Sequence, residues 1–390
     1  DGTIYSRDDL TINGTGMLTV SAEYHHGIVC NDDLVIAGGN IAISAAQDGI
    51  HVNDSVRIHN AEISIKAGDD GITVSNDDET AFLYVESGSI TISECYEGLE
   101  AVDITIAGGT VDIMATDDGI NASGSGEKSV IRITDGDVTI INPSGRDADG
   151  LDSNGSIYIE GGKVFISVSD NGGNCALDCG SENGGECVVS GGMVIACGGS
   201  AMAEGFDAGS TQGFLMYGTT AAAGTLISLE DSDGKELLSE EIPCSFSSVV
   251  LSAPELKVGD VCTITIDGVQ EQITIDNSST SGFGQGGMFR GGMPNGRNFG
   301  GMTRNEDIPV MGMIEPPEDG EVPGERPFAH DDGQDRKDGA RFRQQDMDRG
   351  QMQPGEEISS SAVSVDTLVM LGISVLVLLA GLCIAAKVRH

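Results

Sequence analysis

Two apolar-x-apolar triplets, joined by a short turn that usually holds glycine, form a phrase that recurs along the first half of this chain. One copy reads Leu34-Val35-Ile36, then Ala37-Gly38-Gly39-Asn40, then Ile41-Ala42-Ile43. Its inner positions return as Val56, Ile58, Ile63, Ile65 and as Leu83, Val85, Ile90, Ile92. They return again as Ile104, Ile106, Val111, Ile113, as Ile131, Ile133, Val138, Ile140 and as Ile157, Ile159, Val164, Ile166, with a weaker copy in Val189 and Val194. A spacing of about 21 to 30 residues marks a repeat architecture. Side chains alternate faces along a strand, so each triplet sends two residues inward and one outward. A third short strand completes each coil, in Gly49-Ile50-His51-Val52, Gly71-Ile72-Thr73-Val74, Gly98-Leu99-Glu100-Ala101, Gly119-Ile120-Asn121-Ala122 and Gly150-Leu151-Asp152-Ser153. Three short strands per coil with stacked apolar columns predict an all-β fold, a right-handed parallel β-helix over residues 1–212. Leucine-rich repeats share the period but need a Leu-rich consensus with Asn or Cys at a fixed position, which is missing.

The formal net charge of −42 disfavours nucleic acid and anionic membrane surfaces as partners and makes cations the natural ones. Aromatic residues make up 4% and Trp is absent, which argues against a globular core of large rings. A solenoid does without them, because stacked Val, Ile and Ala bury area coil by coil. The opening Gly2-Thr3-Ile4-Tyr5-Ser6 matches the end of a coil, so the reading expects further solenoid and a leader upstream.

Beyond the last coil, short strands at 214–217, 226–229, 249–251, 261–266 and 272–275, separated by Asp231-Ser232-Asp233-Gly234 and Asp267-Gly268, predict a small β unit over 213–276. Such a unit would cover the open edge of the solenoid. Residues 277–364 lose all periodicity and read as a disordered Gly-, Met-, Pro- and charge-rich linker. The run Thr367–Ala386, nearly all of a transmembrane helix predicted at 365–386, is almost wholly apolar and long enough to cross a membrane once. Lys387 and Arg389 follow it, and Glu356, Glu357 and Asp366 precede it, which predicts a cytoplasmic tail at 387–390 and an extracellular solenoid.

Acidic residues gather at one corner. Asp48, Asp70, Glu97, Asp118 and Asp149 stand just before the glycine of the third strand, Asp69 and Asp117 one place earlier, and Asp147 and Asp152 close by. Carboxylates on successive coils about 4.8 Å apart repel by roughly 1 to 3 kcal/mol. Either their pKa values rise or a cation sits between them. Carboxylates, amides and carbonyls at turns suit calcium, a hard ion with six to eight oxygen ligands. Zinc calls for His or Cys at close spacing, and His25-His26 is an isolated adjacent pair. The alternative is ordinary turn chemistry, since Asp before Gly also caps turns.

The outward residues of the first strand make a second column: Val35, Arg57, Tyr84, Thr105, Arg132, Tyr158 and Val188. Arg57, Tyr84, Arg132 and Tyr158 are the candidates for stacking on sugar rings and pairing with hydroxyls or uronates along an extended polymer. Plain exposed strand surface is the alternative. Of nine cysteines, Cys30 and Cys179 fall in inward positions as core thiols, Cys383 lies in the apolar span, and Cys244 with Cys262 are candidates for a disulfide in an oxidising compartment. No Gly-x-Ser-x-Gly, Walker loop or His-Glu-x-x-His occurs, so no catalytic residue is assigned.

The phrases Tyr5-Ser6-Arg7-Asp8-Asp9-Leu10-Thr11-Ile12-Asn13-Gly14, His26-Gly27-Ile28-Val29 with Asn31-Asp32-Asp33-Leu34, and Asp48-Gly49-Ile50-His51 with Asp54-Ser55-Val56 resemble a bacterial family of surface carbohydrate-binding β-helices. That family is known from cellulose-degrading clostridia and is related in fold to pectate lyases. The resemblance extends over roughly residues 1–275, including Phe246-Ser247-Ser248-Val249 and Pro254-Glu255-Leu256, while the coils lengthen beyond Ser123. It implies calcium and the binding of cellulose or acidic, pectin-like polysaccharide, without established catalysis. The combined expectation is a single-pass cell-surface protein that holds polysaccharide. The alternatives are an adhesive solenoid that binds protein, and a polysaccharide lyase. Oligomeric state is not legible.

Overall fold

The computed structural model describes residues 1–146, 148–171, 173–277 and 280–281. Among them every regular element is a strand apart from two single 3-10 turns at Gly126–Lys128 and Ser181–Asn183. The predicted phrases wind into a parallel β-solenoid with three faces. The third strands form an eight-stranded parallel sheet running from Gly2–Ser6 through Ile50–Val52 and Ile120–Ala122 to Leu177–Cys179. The first strands stack in register as Asp33–Ile36, Ser55–Ile58, Phe82–Val85, Asp103–Ile106 and Val130–Ile133. The second strands do likewise as Gly39–Ala45, Ala61–Ala67, Gly88–Cys95, Thr110–Ala115 and Asp137–Asn142. In the last two coils the first and second strands run together as Ser156–Val168 and Cys187–Gly198, bent at Gly162 and Gly192. Both glycines have φ near +80°, where a side chain would strain the backbone (75° and 83°).

Alternation sends the predicted inward positions to one continuous core. Ile36, Ile58, Val85, Ile106, Ile133 and Ile159 are all fully buried, as are Ile50, Leu99, Ile120 and Leu151 from the third face. The glycine that opens each third strand has a packing cause. A methyl group on Gly71 would lie 2.5 Å from the Gly98 carbonyl oxygen and 2.5 Å from Ile92 Cδ1. One on Gly119 would lie 2.6 Å from the Gly150 oxygen and 2.3 Å from Ile140 Cγ2. The corner turns where the second strand's isoleucine and the next coil's backbone leave no room for a Cβ.

Segment 213–276 divides between two sheets. Phe246–Ser252 pairs antiparallel with the end of Cys187–Gly198, and Phe214–Ala221 pairs antiparallel with Phe246–Ser252 in turn. The last parallel strand of the second face is therefore covered by a strand of opposite direction. The remaining strands form a four-stranded antiparallel sheet in the order Glu236–Ile242, Thr225–Glu230, Val261–Ile266, Val269–Thr274. Between the two sheets lies a second core, where Phe165 and Ile195, outward residues of the second face, pack with Ile227, Leu229, Leu251 and Ile264. Glu236–Ile242 was not among the expected strands; only Leu238 and Ile242 are buried in it, and its run of glutamates hides an edge strand.

One expectation is corrected. Cys244 and Cys262 are separate free thiols, both buried. The Cys244 thiol donates to the Ser167 carbonyl of the solenoid at 3.3 Å, whereas Cys262 packs in the second core. The expected linker beyond residue 277, the membrane helix over 365–386 and the tail over 387–390 lie outside the described residues. Among the described residues no helix is long and apolar enough to cross a membrane.

Candidate functional site

With the second face partly covered by the C-terminal sheet, two outward surfaces carry the chemistry-bearing residues. The first is the acidic corner. Each coil turns there through a backbone amide bonded to the coil beyond, as Gly49 N to Asp70 O, Gly71 N to Glu97 O, Gly98 N to Asp118 O and Gly119 N to Asp149 O. This registers Asp48, Asp70, Glu97, Asp118 and Asp149 into one column. The side chains repeat the pattern. Asp70 Oδ1 accepts the Glu97 N–H at 3.0 Å, Asp118 Oδ1 accepts the Asp149 N–H at 2.7 Å, and Asp149 Oδ1 accepts the Cys175 N–H at 2.6 Å. One oxygen of Asp70, of Asp118 and of Asp149 thus satisfies a backbone donor at the turn, which accounts for aspartates there without any ion.

The other carboxylate oxygens face a column that the sequence reading did not assemble. The middle residues of the third strands point outward in register as Val29, His51, Thr73, Glu100, Asn121, Asp152 and Asp178. Thr73 Oγ1 donates to Asp70 Oδ2 at 3.0 Å, Asn121 Nδ2 donates to Glu97 Oε2 at 3.0 Å, and Asp118 and Asp152 share a hydrogen bond. The signal was present: His51, Thr73, Glu100, Asn121 and Asp152 each sit three places after a corner acid, at the outward slot of a period-two strand.

Charge therefore accumulates where solvent is scarce. Burial raises Asp70 to about 6 against the relief of the Glu97 N–H and the Thr73 hydroxyl. Burial and then the neighbouring Glu100 and Asp70 charges push Glu97 up to about 9. Burial lifts Asp149 to about 7. Asp118 and Asp152 are both raised, first by burial and then by the surrounding carboxylates. Ligating atoms of Asp48, Asp69 and Asp70, and of Asp70, Glu97 and Glu100, lie within 4.8 Å of one another. An all-oxygen set of this density is what a hard cation takes.

The predicted residues distribute as follows. Asp48 and Asp118 are buried at 4% and 7% exposure, and Asp70, Glu97, Asp149 and Asp152 are half-buried. Asp69 is exposed beside Asp70, while the Asp117 carboxylate holds the Tyr96 hydroxyl on the outer side of the corner. Asp147 lies outside the described residues. Glu100, Asn121 and Asp178 join the corner unanticipated.

The second surface is the first-strand face. Val35, Arg57, Tyr84, Thr105, Arg132, Tyr158 and Val188 form one unbroken outward column in register. The Arg57 guanidinium lies 4.6 Å from the centroid of Phe82 and donates to Ser55 Oγ at 3.1 Å. The Arg132 guanidinium lies 4.4 Å from the Tyr158 ring and pairs with Glu160, and the Tyr158 hydroxyl donates to Glu186 at 3.0 Å. Stacking pre-orders both arginines against a ring. Phe82, one place before the column, is an aromatic partner that the sequence reading did not include.

Residues 1–194 of the chain match a family model described as carbohydrate-binding domain-containing protein. A stretch of 42 residues is 57% identical to a carbohydrate-binding domain-containing protein of Acetivibrio thermocellus. That stretch is 11% of this chain and 15% of the relative's length. No solved structure matches the chain.

Proposed function

We propose that this protein binds extended polysaccharide along its first-strand face, with calcium held at the acidic corner, and that it does so without catalysis. The observation that carries the reading is the in-register column of Arg57, Tyr84, Arg132 and Tyr158 on coils that all fall within the matched residues 1–194. Strands of neighbouring coils repeat every 4.8 Å or so, close to the length of one sugar ring, so a polymer lying along the axis meets a guanidinium and a ring at Arg57 and Tyr84 and again at Arg132 and Tyr158, with Thr105 between the two pairs. Cellulose would use the aromatic faces, and a uronate polymer would add charge-assisted pairing to arginine. Calcium neutralises the buried carboxylates of the corner and stiffens the coils that carry the face. We further propose that residues 365–386 anchor the protein in a membrane with the solenoid outside the cell, which protease treatment of intact cells tests by releasing the solenoid.

A glycan array with and without chelator tests the main reading. Polymers of glucose or uronate should be retained by the full chain, and replacing Arg57, Tyr84, Arg132 and Tyr158 together by Ala should abolish retention. No retained glycan at all would favour an adhesive solenoid that binds protein. Appearance of unsaturated uronate absorbance on incubation with pectin would favour a lyase.

A further inference from the structure

The coil brings together what the sequence keeps apart. His26 and His51 lie on successive coils, and their rings come to 4.8 Å between centroids, tilted by 33°. Between them stands Asp48, whose Oδ1 faces the Asp70 N–H at 3.4 Å. Its Oδ2 is left to the two imidazoles, 3.0 Å from His26 Nδ1 and 2.7 Å from His51 Nδ1. The carboxylate side chain is 6% exposed and the imidazoles 20% and 32%, so the group is rooted in the protein but open on one side.

Proton accounting at this cluster does not close. His26 Nδ1 also receives the Asp48 backbone N–H at 3.3 Å. A ring nitrogen that carries hydrogen has no in-plane lone pair to accept with, so the same Nδ1 cannot both accept from that amide and donate to Oδ2. In the accepting tautomer that one lone pair is given to the amide, and the nitrogen and a carboxylate oxygen 3.0 Å away face each other without a shared proton. A cation that takes this lone pair and Oδ2 together replaces the unfavourable contact with two bonds, in place of the long amide contact, and two imidazole nitrogens select a borderline ion over a hard one.

We propose that His26 Nδ1, His51 Nδ1 and Asp48 Oδ2 form a site for a divalent first-row transition ion, zinc foremost, separate in preference from the all-oxygen corner beyond it. Bonds of about 2.0 to 2.1 Å set ligand atoms roughly 3.3 Å apart in a tetrahedron, so the two nitrogen–oxygen separations need to open by about half an ångström, and all three atoms already lie within 4.8 Å of one another. The fourth position faces solvent on the exposed side of the rings. The ion ties the coil of His26 to that of Asp48 and His51, near the start of the described solenoid.

The test uses the full chain, stripped of metal and then held in millimolar calcium so that the acidic corner is satisfied. Zinc should bind at one equivalent and raise the melting temperature, because it binds the folded state alone. The double variant His26→Gln with His51→Gln should weaken zinc by about a hundredfold or more while keeping its response to calcium, since losing even an outer partner of a ligand costs 10- to 100-fold. X-ray absorption of the wild-type protein with one equivalent of zinc gives a reading that does not depend on how the variant folds, and it should show two imidazole nitrogens. Zinc displaced by calcium, zinc bound equally well by the double variant, or an absorption spectrum without imidazole scattering would each overturn the proposal.

Discussion

A carboxylate at the corner of this solenoid has two roles, and the two oxygens separate them. Asp70 Oδ1 caps the Glu97 N–H, while Oδ2 faces Thr73 and the neighbouring acids. Asp70→Asn keeps an oxygen that can accept from the amide and removes the charge, whereas Asp70→Ala removes both. In chelator, Asp70→Ala should therefore lose about 1 to 3 kcal/mol in a denaturant titration while Asp70→Asn loses little or gains. In calcium, neither variant should gain as much melting temperature as wild type; a full calcium response in Asp70→Asn would leave this residue as a turn cap only. The same crowding sets a pH dependence. Burial raises Asp70, Glu97 and Asp149 to about 6, 9 and 7, above the ordinary range of an unfolded chain. Between the unfolded and folded values the native state holds more protons, so their contribution is fully present at low pH and is lost as pH rises through the folded values. The metal-free protein should melt progressively lower from about pH 5 to about pH 9, and Glu97→Gln should flatten the upper part of that slope. A melting temperature that climbs over this range would contradict the assignment.

At the scale of strands and coils, stability is a sum over neighbouring layers, and a defect in one layer is felt by two others. Ile58 is fully buried in the middle of the first face, so Ile58→Ala should cost about 2 to 5 kcal/mol in equilibrium unfolding. Gly71→Ala should be comparably damaging although it adds only a methyl group, because that methyl meets a carbonyl of the next coil at 2.5 Å. A near-neutral Gly71→Ala would mean that the corner is looser than described. The inward columns and the turn glycines were legible because a period-two pattern repeated at nearly constant spacing leaves one consistent winding. The corner's second column was legible in principle, as His51, Thr73, Glu100 and Asn121 alternate outward, but their chemistry differs from coil to coil and so forms no visible motif. The pairing of Phe246–Ser252 with the end of Cys187–Gly198 was not legible. It joins segments some fifty residues apart in antiparallel sense, and no repeat period encodes it. The disulfide expectation failed for a related reason: Cys244 is drawn to Ser167 on the solenoid, a long-range contact that spacing does not show.

The chain as a whole carries a net charge of −42, which repels any polyanion at a distance. Neutral and acidic polymers should consequently behave differently. Binding of cellulose-type polymer should change little with ionic strength. Binding of uronate polymer should require calcium and weaken with added salt, as bridging and arginine pairing are both screened. Equal salt dependence for the two polymers would remove charge from the account. The arrangement of Arg57, Tyr84, Arg132 and Tyr158 as a line also predicts how affinity is built, since each ring or guanidinium contact supplies about 1 kcal/mol and only a polymer reaches them together. The most direct measurement is calorimetric titration of the full chain, in calcium, with one glycan offered as polymer and as trisaccharide, on wild type and on the variant with those four residues replaced by Ala. The account predicts tight binding of the polymer, weak or undetectable binding of the trisaccharide, and loss of the polymer's advantage in a variant whose circular dichroism is unchanged. A trisaccharide that binds as well as the polymer, or a variant that retains full polymer affinity, would contradict it.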